Sequence, residues 1–353
     1  MKFLASVLLY CAVFALLVGA AVAYVDPRGE FGRAGFPKVT LDARRQKMNL
    51  FHQYHQEAPV TGLILGSSRS MKIDPALLDQ ARNLRYFNFT VDAARAEDYL
   101  ALYRYARAQG AQIKDVLIGL DIEALHNSDH PFVNHRNNAQ LRSYVEDRPA
   151  ALVTFAATVS RAKELLTTSY LRDAVRVLNA SRHPEGRVPF MQFTTSGYLH
   201  YPGRERQRAQ GTFDLQREID ACVPNYLTIY RDMTAISTRR LAQLETLVRE
   251  VEASGGRVTI WLAPLQAQTV DALSRRTHYR DLYQSARTAL TALAGRTTAA
   301  FMDFSSPSRF GATETDWYDC AHIDDAGATH LVRAVLEGKA STSTLVGRAI
   351  RAY

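Results

Sequence analysis

Five short apolar runs with helical patterns between them constrain this chain more than any other feature. Leu63-Ile64-Leu65-Gly66, the aromatic-rich Leu84 to Val91, Val116 to Asp121, Arg257 to Leu265 and Ala299 to Phe304 each read as a strand. An apolar run bounded by turn residues is the pattern of a parallel strand covered on both faces. Between the runs, apolar residues recur at a helical period. Asp74-Pro75 opens one such stretch (Leu77, Leu78, Ala81), and Gly110 closes another running from Arg95 to Gln109 (Tyr99, Leu102, Tyr103, Ala106). Asp232 to Ala253 reads as a long helix, Tyr279 to Leu293 as another, and Ala326, His330, Leu331, Ala334 and Val335 as a last one. Strands alternating with helices pair in parallel through crossovers. The expected fold is α/β: a single doubly wound parallel sheet of about five strands.

The ends of the chain are organised differently. Residues 1–25 carry an uncharged run, Phe3 to Val25, long enough to cross a bilayer as a helix, with Ala21-Val22-Ala23 matching a signal-peptidase site. A retained anchor and a cleaved signal both fit, and either exports the rest. Lys2 faces Arg28, Arg33, Lys38, Arg44, Arg45 and Lys47 on the other side, which works against a simple positive-inside assignment. Residues 26–59 read as a stalk with one helix, with His52 and His55 on a solvated face, and 60–353 as the main domain. Within it, residues 126–215 form an insertion: Pro149 to Leu166 looks helical, while Ser181 to Gly211 mixes Pro, Gly, Arg and aromatics without a period. A binding loop and plain filler both match that composition. Arg204, Arg206 and Arg208 alternate within it, as a charged, wet loop or as contacts to an anionic substrate.

Two loops carry the chemistry. The first strand stops at Gly66 and delivers Ser67, Ser68 and Ser70 to the carboxyl edge of the sheet, where ligands bind in such folds. Ser68 is the leading candidate nucleophile; the competing reading is a turn whose hydroxyls cap the next helix. About 250 residues on, Asp319-Cys320-Ala321-His322 stands before the last helix. An acid and an imidazole three apart can sit side by side, the carboxylate orienting the ring, and a serine hydroxyl needs such a base. Together the two blocks resemble the SGNH hydrolase superfamily, which has a nucleophilic serine after the first strand and an Asp-x-x-His pair before the last helix. Gly66-Ser67-Ser68 has serine where that family usually has aspartate. This form, with a membrane-proximal N-terminus, is most similar to the branch containing the D-alanyl transfer protein of lipoteichoic-acid synthesis and other envelope-polysaccharide acylation proteins.

The resemblance implies an SGNH/flavodoxin-like sheet and acyl transfer through Ser68, with His322 as base and Asp319 as its orienting acid. It also implies a glycan or acylated substrate and a membrane-bound acyl-donor partner protein. The Ser68 amide is one oxyanion donor. The family's glycine and asparagine donors have no counterpart: the second strand exits through Asn88-Phe89-Thr90-Val91-Asp92-Ala93, and the third ends in Asp121. Asn88 is the nearest amide, as donor or strand cap. Asp121, if ionised, donates nothing. Arg69 either holds an anionic donor or pairs with Asp121 or Asp92.

Composition narrows the rest. A chain of 353 residues with 47% hydrophobic content can bury a large core. Its net charge of +8 favours anionic lipid or polymer, while nucleic acid is not expected, given the export signal and the lack of a recognised binding motif. Three cysteines are too few for a disulfide scaffold. Cys11 lies in the apolar run; Cys222 and Cys320 form one candidate pair, and Cys320 also reads as a small buried residue beside the acid. His126, His130 and His135 near Asp129 lack ligand spacing, so neither a metal nor a cofactor is expected. The expected function is a membrane-tethered extracytoplasmic serine acyltransferase or esterase for small acyl groups of an envelope or exported glycan. A catalytically inactive binding or assembly subunit, or a lipid or thioester hydrolase, would use the same fold.

Overall fold

The computed structural model describes residues 2–28, 35–36, 43–128, 139–145, 165–182 and 190–338, with residues 155, 158, 159 and 163. The five expected strands form one parallel sheet. They are β1 (Gly62–Gly66), β2 (Tyr86–Asn88), β3 (Asp115–Leu120), β6 (Arg257–Leu262) and β7 (Ala300–Asp303), in the order β2-β1-β3-β6-β7. The chain leaves β1 for β2 on one side and returns as β3 on the other. That reversal makes the carboxyl ends of β1 and β3 the switch point of the sheet, where doubly wound folds bind ligands. The register aligns Gly66 with Gly119, so the residues that follow β1 and β3 emerge side by side.

Both faces of the sheet are covered, which is why the strands lack polar alternation. Leu63, Leu65, Val116, Ile118, Val258 and Ile260 point into the larger core; Ile64, Leu117, Trp261 and Met302 point into a second core under the last helix, Asp325–Leu336. Successive side chains of a strand face opposite ways, so each strand feeds both layers.

Residues 43–57, expected within a stalk, belong to this body instead. The helix Ala43–Glu57 buries Met48 and Phe51 in the larger core, and Arg44 makes two hydrogen bonds to the buried Asp98 carboxylate, at 2.8 and 3.0 Å. Lys47 is fully buried; its Nζ donates to Asn88 O (2.8 Å) and to Gly197 O. The polar residues that suggested a stalk are therefore satisfied inside the protein. Of the two histidines, His52 is exposed and His55 stacks on Phe51.

The described part of the insertion is folded. Pro149 to Leu166 lies mostly outside the described residues. Beyond it come the helix Thr168–Ser181 and the short antiparallel strands β4 (Gln192–Phe193) and β5 (Leu199–His200). This hairpin is fastened to the sheet edge by backbone hydrogen bonds, Asn88 N to Ser196 O (2.9 Å) and Leu199 N to Met71 O (3.0 Å). The alternating arginines lie on a helix, Pro202–Ala209, rather than a loop. The helix expected over Asp232 to Ala253 is present as Thr238–Ala253, capped by Ser237 Oγ, and is preceded by a separate helix, Leu215–Asp232, with Pro224 inside it.

A close approach fixes the turn after β1. Ser70 Oγ sits against Gly119, where a Cβ would overlap it and lie 2.9 Å from the Trp261 ring. Gly119→Ala is expected to cost about 1–3 kcal/mol through overpacking. A fall in midpoint temperature measures it, and an unchanged midpoint would show that the turn yields freely.

Candidate active site

The three serines after Gly66 separate by burial. Ser67 and Ser70 are buried, and Ser67 Oγ caps the following turn by accepting from Arg69 N at 3.1 Å. Ser68 opens the short 3-10 turn Ser68–Ser70 and alone of the three keeps its residue partly exposed. The capping reading thus holds for Ser67, and Ser68 is free for chemistry.

Opposite Ser68 stands the loop before the last helix. Asp319 Oδ1 accepts the backbone N–H groups of Ala321 and His322, each at 2.9 Å, which folds the loop back on itself and seats the ring beside the carboxylate. His322 Nδ1 lies 2.8 Å from Asp319 Oδ2, and Nε2 lies 2.8 Å from Ser68 Oγ. With Nδ1 donating to the carboxylate, Nε2 is the acceptor for the serine proton. Cys320 is disulfide-bonded to Cys222, which ties this loop to the helix Leu215–Asp232.

The electrostatics follow from burial and proximity. Burial pushes the Asp319 carboxyl up, but the His322 charge and the hydrogen bonds from ring and backbone outweigh it and hold the group down at about 2. Burial pulls the His322 imidazole down; the adjacent Asp319 carboxylate outweighs it, so the ring titrates above its ordinary value. Asp121 moves the other way: burial raises it to about 6, assisted by the negative Glu123 and opposed by Arg69.

Asn88, Arg69 and Asp121 are engaged by protein partners. Asn88 is fully buried, and its amide nitrogen donates to the carbonyls of Ser70 (3.0 Å) and Ile73 (2.8 Å), using both hydrogens. It caps the strand end and is no oxyanion donor. Arg69 has a side chain only 2% exposed, held by Glu123 Oε1 and lying 3.6 Å from Asp121 Oδ1, with the Tyr226 ring beneath it. It offers nothing to an anionic substrate. Asp121 is consumed in the same ion pair. Arg204 and Arg208 are also paired, with Glu218 at 2.6 Å and Asp324 at 2.9 Å.

Sequence reasoning overlooked several residues here. Glu123 and Tyr230, linked at 2.6 Å, complete the buried charge cluster under the nucleophile turn. Lys72, 2.6 Å from Asp325, donates to Tyr198 OH at 2.8 Å, locking the insertion hairpin to the start of the last helix. No periodicity or motif marks such pairs. Ala93, on the turn after β2, has a left-handed φ of 45°, the conformation usually left to glycine. The Ser68 and Ala93 amides have no acceptor among the described residues.

No family profile matches this sequence, and no curated protein matches it. Among solved structures, the chain is similar to "a putative platelet activating factor from Streptococcus pneumonia", at 9% identity over 84% of this chain and 92% of that one, with a TM-score of 0.40.

Proposed function

We propose that this chain is a serine-dependent acyltransferase or esterase acting on small acyl groups of an envelope or exported glycan, tethered to a membrane with its main domain outside the cytoplasm. The observation that carries the reading is the unbroken hydrogen-bond chain Ser68–His322–Asp319, with both links at 2.8 Å. Ser68 Oγ attacks the carbonyl carbon of the donor ester while His322 Nε2 takes its proton. The tetrahedral intermediate collapses, the alcohol leaves with the proton from His322, and the acyl group stays on Ser68. An acceptor hydroxyl, or water in an esterase, then attacks that ester and returns the serine proton through His322. The free Ser68 amide supports one oxyanion contact.

The membrane part rests on the helix Lys2–Val25, which is long and apolar enough to cross a bilayer. The Cys222–Cys320 disulfide supports an oxidising compartment. A membrane-bound acyl-donor protein is the partner that a transferase of this kind requires. One observation favours a second reading, an inactive glycan-binding or assembly subunit: Asn88 and Asp121 supply no oxyanion hydrogen bond. Fluorophosphonate labelling of the full chain separates the two. Mass-mapped adduct on Ser68 supports the enzyme, and its absence, with no acyl transfer from a supplied ester donor to a glycan acceptor, sinks it.

The pH dependence has a definite sign. Nε2 accepts a proton only when His322 is neutral, so labelling is expected to rise with pH through a single titration centred above the usual histidine value of about 6.5. The raised folded value also means that His322 contributes stability below about 6.5 and loses that contribution as pH rises through the folded midpoint. A labelling rate flat between pH 5 and 9, the window around that midpoint, would contradict the assignment of the base.

A further inference from the structure

We infer that the helix Thr168–Ser181 lies in the membrane interface beside the anchor and seats the domain on anionic headgroups, an arrangement that rests on the reading of Lys2–Val25 as membrane-crossing. The two helices are joined rather than strung on a tether. Val22 and Val25 pack into a small core with Tyr170, Ala174 and Val177. Arg28 pairs with Asp173 at 2.9 Å and lies 4.2 Å above the Tyr170 ring.

The joint fixes a height. Val18 packs on the same cluster, and Leu166, just ahead of the helix, lies beside Gly19, where an added Cβ would be 3.8 Å from its Cδ2. Gly19 is six residues before Val25, about 9 Å along a helix axis. Leu166, beside Gly19, therefore sits near the headgroup and acyl boundary whenever the first helix spans the bilayer.

The open surface of the helix that follows has the right chemistry. Leu171, Val175 and Leu178 recur at helical spacing beside the buried face; Val175 is 55% and Leu178 39% exposed, and Leu166 is 45% exposed. The next strip around the helix carries the exposed Arg172 and Arg176. Around the axis the order is anchor-facing, open apolar, then cationic. That is the layout of a helix lying in an interface, apolar strip toward acyl chains and guanidinium groups toward phosphates. A water-facing helix would have no reason to place its open apolar strip next to the anchor.

The test uses the full chain in nanodiscs of phosphatidylcholine and phosphatidylglycerol, labelled without reductant so that the disulfide stays closed. The free Cys11, exposed midway along the first helix, reports the anchor. A second protein, Cys11→Ser with Val175→Cys, reports the proposed contact. With nitroxide lipids, both labels are expected to lose at least about half their intensity, the Val175→Cys label most strongly with a shallow nitroxide. Adding Arg172→Glu and Arg176→Glu is expected to restore its emission. A bright Val175→Cys label open to aqueous iodide, beside a quenched Cys11 label, overturns this proposal and leaves the anchor standing. A label shielded from both quenchers would place a second copy on the strip and overturns it too. An unquenched Cys11 label removes the anchor reading, and this one with it.

Discussion

Ser68→Ala is expected to abolish covalent labelling by a fluorophosphonate and to lower acyl transfer or ester hydrolysis by about 10⁴- to 10⁶-fold, with the midpoint of unfolding nearly unchanged. The size follows from the division of labour in the hydrogen-bond chain. Without Oγ there is no covalent intermediate, and His322 Nε2, 2.8 Å away in the intact protein, has no proton to take. The fold does not depend on this hydroxyl. Ser67 caps the turn, Ser70 packs against Gly119, and Ser68 is the partly exposed member of the three. Asp319→Asn is expected to leave the geometry in place and cost about 10⁴-fold, because an amide neither stabilises the imidazolium nor holds the Nδ1-protonated tautomer. Adduct persisting at another residue in Ser68→Ala would end the proposed mechanism.

The largest stability effect is expected from opening Cys222–Cys320. The bond closes a loop of 98 residues, and the chain-entropy relation assigns a loop of that size about 4–5 kcal/mol, within an observed range of about 2–5 for native bridges. The bond also holds Cys320 between Asp319 and the folded-back Ala321–His322 turn. Reduction should therefore lower activity before it unfolds the domain. Thermal unfolding and labelling of the full chain, with and without reductant, test both parts. The double variant Cys222→Ala and Cys320→Ala should match the reduced protein and no longer respond to reductant. A reductant effect surviving in that variant would place the sensitivity elsewhere.

Much of the fold was legible because periodicity is a local property. Leu63–Leu65 and Val116–Leu120 are continuous apolar runs for the reason the structure makes plain: helices cover both faces of the sheet. The Ser68 and Asp319–His322 blocks were also visible, since each needs only a few adjacent residues to form its turn. The helix Ala43–Glu57 was misread because Arg44 and Lys47 look like surface residues until Asp98 and the carbonyls of Asn88 and Gly197 are brought to them. The alternatives open for Arg69, Asn88 and Asp121 could not be decided locally for the same reason, as their partners lie on other elements.

The sequence by itself determined the five strands of the parallel sheet, the main helices between them and the three residues able to form an alcohol, imidazole and acid chain. Only the tertiary structure decided which serine stands free, that the ring comes within 2.8 Å of it across 254 residues, and that the nearby charges are spent on one another. The physical reason is that apolar pattern and turn chemistry act between near neighbours. Burial, pairing and proton affinity depend on which distant segments the packed sheet brings to the same edge.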